Sequence, residues 1–339
     1  MFYVLKQYCL WIFDQMNAIW HLPFDPESRM YWLYWLTFVL LAIPAYIGYY
    51  QPPSGRFRWI SFIRFCFPKA IYGHPSSRMD YKIFVLNRFF MVFWLAVSWS
   101  LLATVTIAGS QFLQNVFGRA PKVSWNAWTL MIFSICIALV NDFAAFLNHT
   151  MHHFSSVLWP FHSVHHSAEV LNPITLYRQH PIYMVLGMQI KDILRGIFQG
   201  VVYYFFFGTP TLWTIWGVNG IYVFFSLIGV HLRHSHIWFS YGPLLSYLFI
   251  SPAQHQIHHS VAKKHRNKNM GEVFAIWDWI FGTLYVPSEK EEIVFGIEAD
   301  TPQIHPTLWK AYMDPLIQSA RAIKKLFLSQ KRNPLAIRE

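Results

Sequence analysis

The sequence predicts an all-α polytopic membrane protein, with about four to five transmembrane helices and a helical, histidine-rich region over them on the cytoplasmic side. Of the 339 residues, 55% are hydrophobic and only 13% are charged, whereas about 25% of the residues in a soluble domain are charged. So few charges cannot cover a compact surface in water. The chain also has 17 histidines against 16 acidic residues, and most of these histidines are clustered.

Apolar segments of about 20 residues, the length that crosses a bilayer as a helix, define the predicted spans. The five segments are Tyr31–Tyr50, Phe89–Ala108, Trp128–Leu147, about Ile193–Gly208 and about Thr211–Val230. Because only Thr209 and Pro210 separate the last two, we expect them to form a tight helical hairpin. Five spans with an external N-terminus fit this pattern, and four spans with a re-entrant segment fit nearly as well.

Positive charge predicts the orientation of these spans. Twenty of the 27 lysines and arginines lie in the stretches 51–83, 148–181 and 231–339. The positive-inside rule therefore places these stretches, and the histidines within them, in the cytoplasm. The same rule, together with attraction to anionic lipid, accounts for the net charge of +11 without a nucleic-acid partner. We expect a multi-pass integral membrane protein.

Four histidine clusters follow the predicted spans. They are His149, His152 and His153; His162, His165 and His166; His231, His234 and His236; and His255, His258 and His259. Spacings of three and four residues put the histidines of a cluster on one helix face. Packing does not require this arrangement, and burying so many polar rings without partners would be costly. The clusters therefore predict metal binding.

The number of histidines indicates two ions. A tetrahedral zinc site takes four ligands, so about nine histidines suit two ions with four or five imidazoles each. Imidazole binds iron, zinc, copper and nickel alike, and the ligand type leaves the metal open. The sequence has no HExxH, which argues against a zinc protease. It also has no ExxH, the motif of soluble carboxylate-bridged di-iron bundles.

The order of the motifs resembles the fatty acid hydroxylase/sterol desaturase superfamily of membrane-bound, histidine-rich, non-haem di-iron oxygenases. The matching elements cover roughly residues 140–285. They are Asp142 seven residues before His149, the HxxxH pair His149 and His153, the LWxxHxVHHS motif Leu158–Ser167, the TxxRxHP-like segment Asn172–Pro181, the last histidine box Ser251–Ser260, and the closing segments Asn269–Gly271 and Trp277–Thr283. His152 has no counterpart in the pattern, and His231 and His236 stay unassigned.

The resemblance implies a ligand set, two iron ions and O₂ as co-substrate. The implied ligands are His149, His153, His162, His165, His166, His180, His234, His255, His258 and His259. Asp142 is predicted to accept an N–H from a ligand imidazole and so to fix its tautomer; the alternative is a carboxylate that snorkels or pairs with an asparagine. Arg178 and Asn269 are expected to support the ligands or the helix packing. Trp277, Asp278 and Gly282 are expected to fix the fold over the metals.

The implied activity is O₂-dependent hydroxylation or desaturation of an unactivated C–H position in a membrane lipid, such as a sterol, a fatty acyl chain or an ether lipid. No nucleotide fingerprint or cytochrome b5 signature occurs in the chain. We therefore expect a separate electron-transfer protein, cytochrome b5-like or ferredoxin-like, for which the basic cytoplasmic surface is suited. The alternatives are a metal-binding membrane protein of the same scaffold without oxygenase activity and a zinc-dependent membrane hydrolase.

Three regions follow from these assignments. Residues 1–127 form an N-terminal membrane region, in which the interrupted apolar stretch Met1–Trp20 lies in the membrane interface before two spans. Residues 128–290 form the fatty acid hydroxylase/sterol desaturase-like catalytic region. Residues 291–339 form a basic cytoplasmic tail, whose run Arg321–Arg338 is expected to rest on anionic lipid.

Overall fold

The structure is a computed structural model that describes residues 18–50, 55–120, 122–207, 214–215, 218–298 and 303–332. The regular secondary structure of these residues is helical apart from one two-residue antiparallel strand pair, which confirms the predicted all-helical class. Most of the predicted interfacial segment and the end of the basic tail, residues 333–339, lie outside the described residues.

The described helices differ widely in length. They are α1 (Trp32–Tyr49), α2 (Trp59–Cys66), α3 (Lys69–Tyr72), α4 (Pro75–Phe117), α5 (Ala127–Phe154), α6 (Trp159–His166), α7 (Pro181–Phe205), α8 (Gly220–Leu227), α9 (Val230–Arg233), α10 (Gly242–Ser246), α11 (Pro252–His258), α12 (Ile276–Ile280) and α13 (Leu308–Arg332). Short 3₁₀ helices cover Ala18–Phe24, Pro173–Tyr177 and Lys263–His265, and the strands are β1 (Thr214–Ile215) and β2 (Val218–Asn219).

Two of the described helices, α1 and α5, are long and apolar enough to cross a bilayer by length and composition. They coincide with the predicted spans Tyr31–Tyr50 and Trp128–Leu147. The predicted span Phe89–Ala108 lies inside the 43-residue helix α4. The predicted span Ile193–Gly208 corresponds to the second half of α7, which ends at Phe205.

The prediction of a single fifth span over Thr211–Val230 is wrong. Strand β1 pairs with β2, and among the described residues of this stretch the helix Gly220–Leu227 ends before Gly229, after which α9 begins at Val230. Eight helical residues extend about 12 Å, less than half of the apolar thickness of a bilayer. The sequence explains the difference, because β-branched residues favour strands and Gly217 and Gly220 weaken a continuous helix.

Glycines bring α7 into close contact with α4. A Cβ added at Gly196 would lie 2.7 Å from the Val105 Cβ, and one at Gly200 would lie 3.0 Å from the Thr106 carbonyl oxygen. Gly196 and Gly200 are four residues apart and therefore share one helix face. Only a residue without a side chain allows this approach, and the contact fixes where α7 lies.

A fully buried ion pair joins the start of α4 to the chain around α6. Arg178 Nη1 lies 2.9 Å from Asp80 Oδ1, and both side chains have 0% exposure. The same guanidinium donates to the Val164 carbonyl and to the hydroxyls of Ser76 and Ser167. A buried ion pair is stable only when its remaining polar atoms are also bonded, as they are here. Arg178 therefore supports helix packing, one of the two roles expected from the sequence.

Gly200→Ala should destabilise the fold although alanine is the better helix former. The added Cβ meets three backbone atoms of α4 at 3.0–3.2 Å, and such overpacking costs about 1–3 kcal/mol. Gly48→Ala is the matched control, because nothing lies within 4 Å of its added Cβ and the gain in helix propensity is about 1 kcal/mol. Thermal unfolding in detergent should show a lower midpoint for Gly200→Ala and an equal or higher one for Gly48→Ala. A raised midpoint for both would contradict the close contact.

Candidate metal centre

The described structure gathers nine of the ten predicted ligands into two groups. The five-histidine group consists of His149, His153, His162, His166 and His258, and the four-histidine group consists of His165, His234, His255 and His259. Within each group, the nitrogens available for a metal ion all lie within 4.8 Å of one another. No carboxylate belongs to either group among the described residues.

Two pairs of consecutive histidines make the groups neighbours. His165 and His166 end helix α6 and belong to different groups, as do His258 and His259 at the end of α11. The rings of His166 and His259 stack across the boundary with centroids 4.6 Å apart. The HxxHH spacing thus supplies both groups from one short helix, which the sequence alone did not reveal.

The spacing of the nitrogens fits ligands around a metal ion. His166 Nε2 lies 3.2 Å from His153 Nε2, 3.1 Å from His162 Nε2 and 3.1 Å from His258 Nε2. His234 Nε2 lies 3.2 Å from His165 Nε2 and 3.0 Å from His255 Nε2. Imidazole nitrogens bound at about 2.1 Å, with angles between 90° and tetrahedral, lie about 3.0–3.4 Å apart. Both groups therefore have the geometry of a ligand shell.

Burial keeps these imidazoles in the form that binds metals. It lowers the pKa of His165 to about 3, and neighbouring His149 adds to the shift. Burial also holds the pKa values of His166, His258 and His259 well below their usual range, again with a contribution from nearby histidines. A ligand histidine must be neutral, so the site is prepared for a metal at neutral pH.

Main-chain carbonyls from one turn aim two rings of the five-histidine group. His149 Nδ1 donates to the Met270 carbonyl at 2.8 Å, and His258 Nδ1 donates to the Lys268 carbonyl at 2.8 Å. A proton held on Nδ1 leaves the Nε2 lone pair free for a metal. The turn 268–271 is therefore part of the candidate centre, and main-chain carbonyls carry no sequence signal that could have found it.

Asp142 holds this turn and does not contact a ligand imidazole. Its Oδ1 accepts from the Val273 amide at 2.9 Å, and its Oδ2 accepts from the Phe274 amide and the Trp277 indole, each at 3.0 Å. The predicted contact with a ligand imidazole is wrong, because these three donors occupy both carboxylate oxygens, and His149 itself lies about 10 Å away along α5. Asp142 is buried and acts on the histidines through the chain that follows the turn.

Asp278 holds the other side of the same turn. Its carboxylate accepts from the amides of Met270 at 2.6 Å and Gly271 at 2.7 Å. A Cβ at Gly271 would lie 2.7 Å from the Phe274 carbonyl oxygen, so the turn leaves room for glycine alone. Asn269 has a φ of 56°, a left-handed conformation that asparagine tolerates better than most residues. The sequence predicts that Asp278 fixes the fold and that Asn269 supports the ligands or the packing. In the structure, Asp278 binds the amides of this turn, and Asn269 is part of it.

His180 is outside both groups, so we no longer count it as a candidate ligand. Its Nδ1 accepts from the Ile182 amide at 3.1 Å and caps α7, while its Nε2 donates to the Tyr312 carbonyl at 3.0 Å. With both nitrogens bonded, the ring has a structural role. His231 and His236 are also outside the groups, which leaves His234 as the contribution of the third cluster.

A cavity of about 1170 Å³ adjoins both groups. His149 and His162 line it from the five-histidine group, and His165, His234 and His255 line it from the four-histidine group. Ligand pockets are commonly about 300–1,000 Å³, so this space is large enough for a sizeable organic molecule. Any bound molecule would lie next to both candidate metal positions.

His258→Asn should reduce the metal content of the purified protein, whereas His180→Asn should leave it unchanged. Asparagine preserves the helix-capping ability of residue 180, so this variant removes only the imidazole. Elemental analysis of detergent-purified protein measures both variants against the wild type. A loss of metal in His180→Asn equal to that in His258→Asn would return His180 to the ligand set.

Asp142→Asn should lower the stability and the metal content together. Asparagine offers one acceptor oxygen where three donors converge, and an unsatisfied buried group costs about 1–3 kcal/mol. Trp277→Phe is the matched control, because it removes one of these donors and leaves the two amide bonds. We expect a smaller loss in the control, measured by thermal unfolding and elemental analysis. Equal metal content in wild type and Asp142→Asn would show that the turn does not need this carboxylate.

Comparison with known proteins agrees with this architecture. Residues 134–283 match the family described as fatty acid hydroxylase. The chain is 27% identical over 179 residues to an alkylglycerol monooxygenase of Caenorhabditis elegans, and 28% identical over 156 residues to the human alkylglycerol monooxygenase. It is 28% identical over 211 residues to the ornithine lipid hydroxylase OlsE of Rhizobium tropici.

These matches cover only part of this chain and only part of each relative. They cover 53%, 46% and 62% of this chain, respectively, and 32%, 31% and 57% of the three relatives. The chain thus spans about a third to somewhat over half of the relatives' lengths. No solved structure matches the chain significantly. Residues 134–283, which are similar to the fatty acid hydroxylase family, carry the two histidine groups and the turn that orients them.

Proposed function

We propose that this protein is a membrane-bound, O₂-dependent di-iron oxygenase that hydroxylates an unactivated C–H position of a lipid. The observation that carries the proposal is the pair of adjacent, all-imidazole groups beside a large cavity. The relatives are an alkylglycerol monooxygenase and an ornithine lipid hydroxylase, which favours hydroxylation over desaturation. We infer that residues 128–290 form the catalytic region.

Iron is favoured over zinc by the kind of chemistry required. Zinc has no redox activity, whereas iron in the two groups would supply one-electron and O₂ chemistry. An alkyl C–H bond has no acidic proton, so acid–base residues alone would not activate it. The five-histidine group would hold one ion through His149, His153, His162, His166 and His258, and the four-histidine group would hold the other through His165, His234, His255 and His259.

The protein's own residues supply orientation and exclude water. The carbonyls of Lys268 and Met270 keep the Nδ1 protons of His258 and His149 away from the metal side. Burial of the rings strengthens electrostatic interactions within the centre. Because the cavity directly adjoins ligand rings, a lipid chain within it lies close to the position where oxidation occurs.

The reaction also needs electrons from outside the chain. In the overall balance, one oxygen atom of O₂ enters the C–H bond and the other leaves as water, while two electrons and two protons are consumed. We propose that a separate cytochrome b5-like or ferredoxin-like protein supplies the electrons at the basic cytoplasmic face. We also propose that the protein crosses the membrane several times, with the histidines on the cytoplasmic side, where this electron donor would bind.

Lipids from cells that express the wild-type protein under ¹⁸O₂ should contain a product whose mass corresponds to one inserted oxygen atom carrying the label. The purified protein should contain two irons per chain. His258→Asn is the control for the lipid measurement, and it should abolish the labelled product because the centre loses a ligand. Mass spectrometry of the lipid extract and elemental analysis provide the two readouts.

Other results would favour other functions. One zinc per chain without O₂ consumption would contradict the proposal and favour a hydrolase. Two irons without oxygen incorporation into any lipid would favour a metal-binding scaffold without oxygenase activity. A product two mass units lighter than its precursor, with no label, would identify desaturation instead of hydroxylation.

A further inference from the structure

Helix α7 lines the cavity with one face, whose chemistry changes along the helix. The residues on this face are Tyr183, Met184, Gly187, Met188, Lys191 and Arg195, spaced so that they follow one side of the helix. The Tyr183 ring stacks on His162 with centroids 4.6 Å apart, which places this end at the metal centre. Lys191 lies eight residues further on, about 12 Å along the axis, and Arg195 lies about 18 Å along it.

Neither of the two cations on this face forms an ion pair with a described residue, while the charges of Glu272 and Asp192 act on Lys191 from a longer distance. No carboxylate of the described residues lies within 4.0 Å of the Lys191 ammonium or the Arg195 guanidinium. Arg195 Nε is also buried without a hydrogen-bond partner. Lys191 and Arg195 are four residues apart, so their head groups can act together on one ligand.

The other cations that line the cavity are already bonded or stacked. Arg29 pairs with the Glu272 carboxylate, and Arg233 donates to the main-chain carbonyls of Glu272 and Ile250. The Arg88 guanidinium lies over two aromatic rings, at 5.3 and 5.7 Å from their centroids. Among the cations that line the cavity, Lys191 and Arg195 are therefore the two that no ion pair, hydrogen bond or ring contact with a described residue holds in place.

Neither helix packing nor snorkelling explains why Lys191 and Arg195 lie on this face of α7. Cations in the middle of an apolar helix are costly and usually have a function or a partner. A snorkelling lysine would extend towards lipid head groups, but Lys191 lines the same cavity as the ligand histidines. Between the cations and the metal centre, the α7 face is apolar at Met184 and Met188. The α7 side of the cavity thus has a cationic end and an apolar stretch that leads to the histidines, while Asp25, Glu27 and Glu272 contribute carboxylates to other parts of the lining.

We propose that the cavity binds an amphipathic ligand with one acidic group, a carboxylate or a phosphate, held by Lys191 and Arg195. The apolar chain of the ligand extends along Met188 and Met184 towards His162. An arginine fork binds both kinds of acid in a bidentate manner. Identifying this ligand with the substrate rests on the proposed lipid hydroxylase function. The oxidised carbon would then lie about 12 Å or more from the acidic group, as measured along α7.

Binding of chain-matched probes to the purified full chain in phosphatidylcholine nanodiscs tests the proposal. The probes are oleate, oleyl phosphate, oleyl alcohol and oleylamine, and empty nanodiscs correct for partition into lipid. We expect at least one acid to bind the wild type about tenfold or more tightly than the alcohol and the amine, as charge-assisted bonds predict. The acid with the higher affinity identifies carboxylate or phosphate as the recognised group.

Variants assign the preference to the two cations. Lys191→Gln combined with Arg195→Gln should remove the preference for acids, and Lys191→Arg combined with Arg195→Lys should retain most of it. Lys310→Gln removes an exposed positive charge on α13 and should leave all affinities unchanged. Metal content and the thermal midpoint establish that each variant is folded, and the single glutamine variants replace the double one if it does not fold.

Equal affinity of the wild type for acids and alcohol would overturn the proposal, as would an unchanged preference in the folded glutamine variant. Because binding is measured without turnover, the result is independent of oxygenase activity. A wild-type protein that prefers acids but incorporates no oxygen would support the ligand site and contradict the proposed function. A wild-type protein that hydroxylates a lipid but shows no preference for acids would support the proposed function and contradict the ligand site.

Discussion

Nine neutral imidazoles converge on two small volumes, and the surrounding fold is arranged to keep them there. Lone pairs of Nε2 atoms at 3.0–3.3 Å do not attract one another, so the backbone must hold the rings in position. Helices α5, α6 and α11 carry seven of the rings, His259 directly follows α11, and His234 follows α9. The ion pair of Arg178 and Asp80 locks the chain around α6 to α4, and the glycine contact locks α7 to the same helix. Several independent contacts therefore maintain one arrangement of ligands.

Carboxylates at this centre act on the backbone instead of on the metal ligands. Asp142 and Asp278 bind opposite sides of the segment that begins with the turn 268–271, and that turn presents carbonyls to His149 and His258. A carbonyl is a neutral acceptor, so it fixes the imidazole tautomer without adding negative charge beside the metal position. The anionic groups remain one layer further out, where backbone and side-chain N–H donors and a hydroxyl satisfy them. The ligands are therefore all imidazoles, and the two aspartates hold in place the main-chain carbonyls that accept from His149 and His258.

The predictable parts of the site are those that depend on spacing along a helix. HxxxH and HxxHH spacing accounts for eight of the nine gathered histidines, because residues three and four apart share a helix face, and His234 is the ninth. His180 did not follow, since its position before a proline makes it a helix cap. The direct contact expected for Asp142 failed because its partners are two main-chain amides and the Trp277 indole, all distant in sequence. The helix expected over Thr211–Val230 failed because local β-branched residues outweigh hydrophobicity. The acidic partner of Arg178, Asp80, lies in a part of the chain without a recognisable motif.

Helix α7 connects the metal centre to the rest of the cavity. His180 caps its first turn, Tyr183 packs on His162, and Lys191 and Arg195 lie two and three turns beyond. Because Gly196 and Gly200 fix this helix against α4, the distance between the cations and the histidines is set by helix geometry and not by a mobile loop. A ligand held at the cationic end is thereby positioned along a rigid element, which is the condition for oxidation at a defined carbon. The close glycine packing of α7 is in this way connected to where on a lipid the reaction would occur.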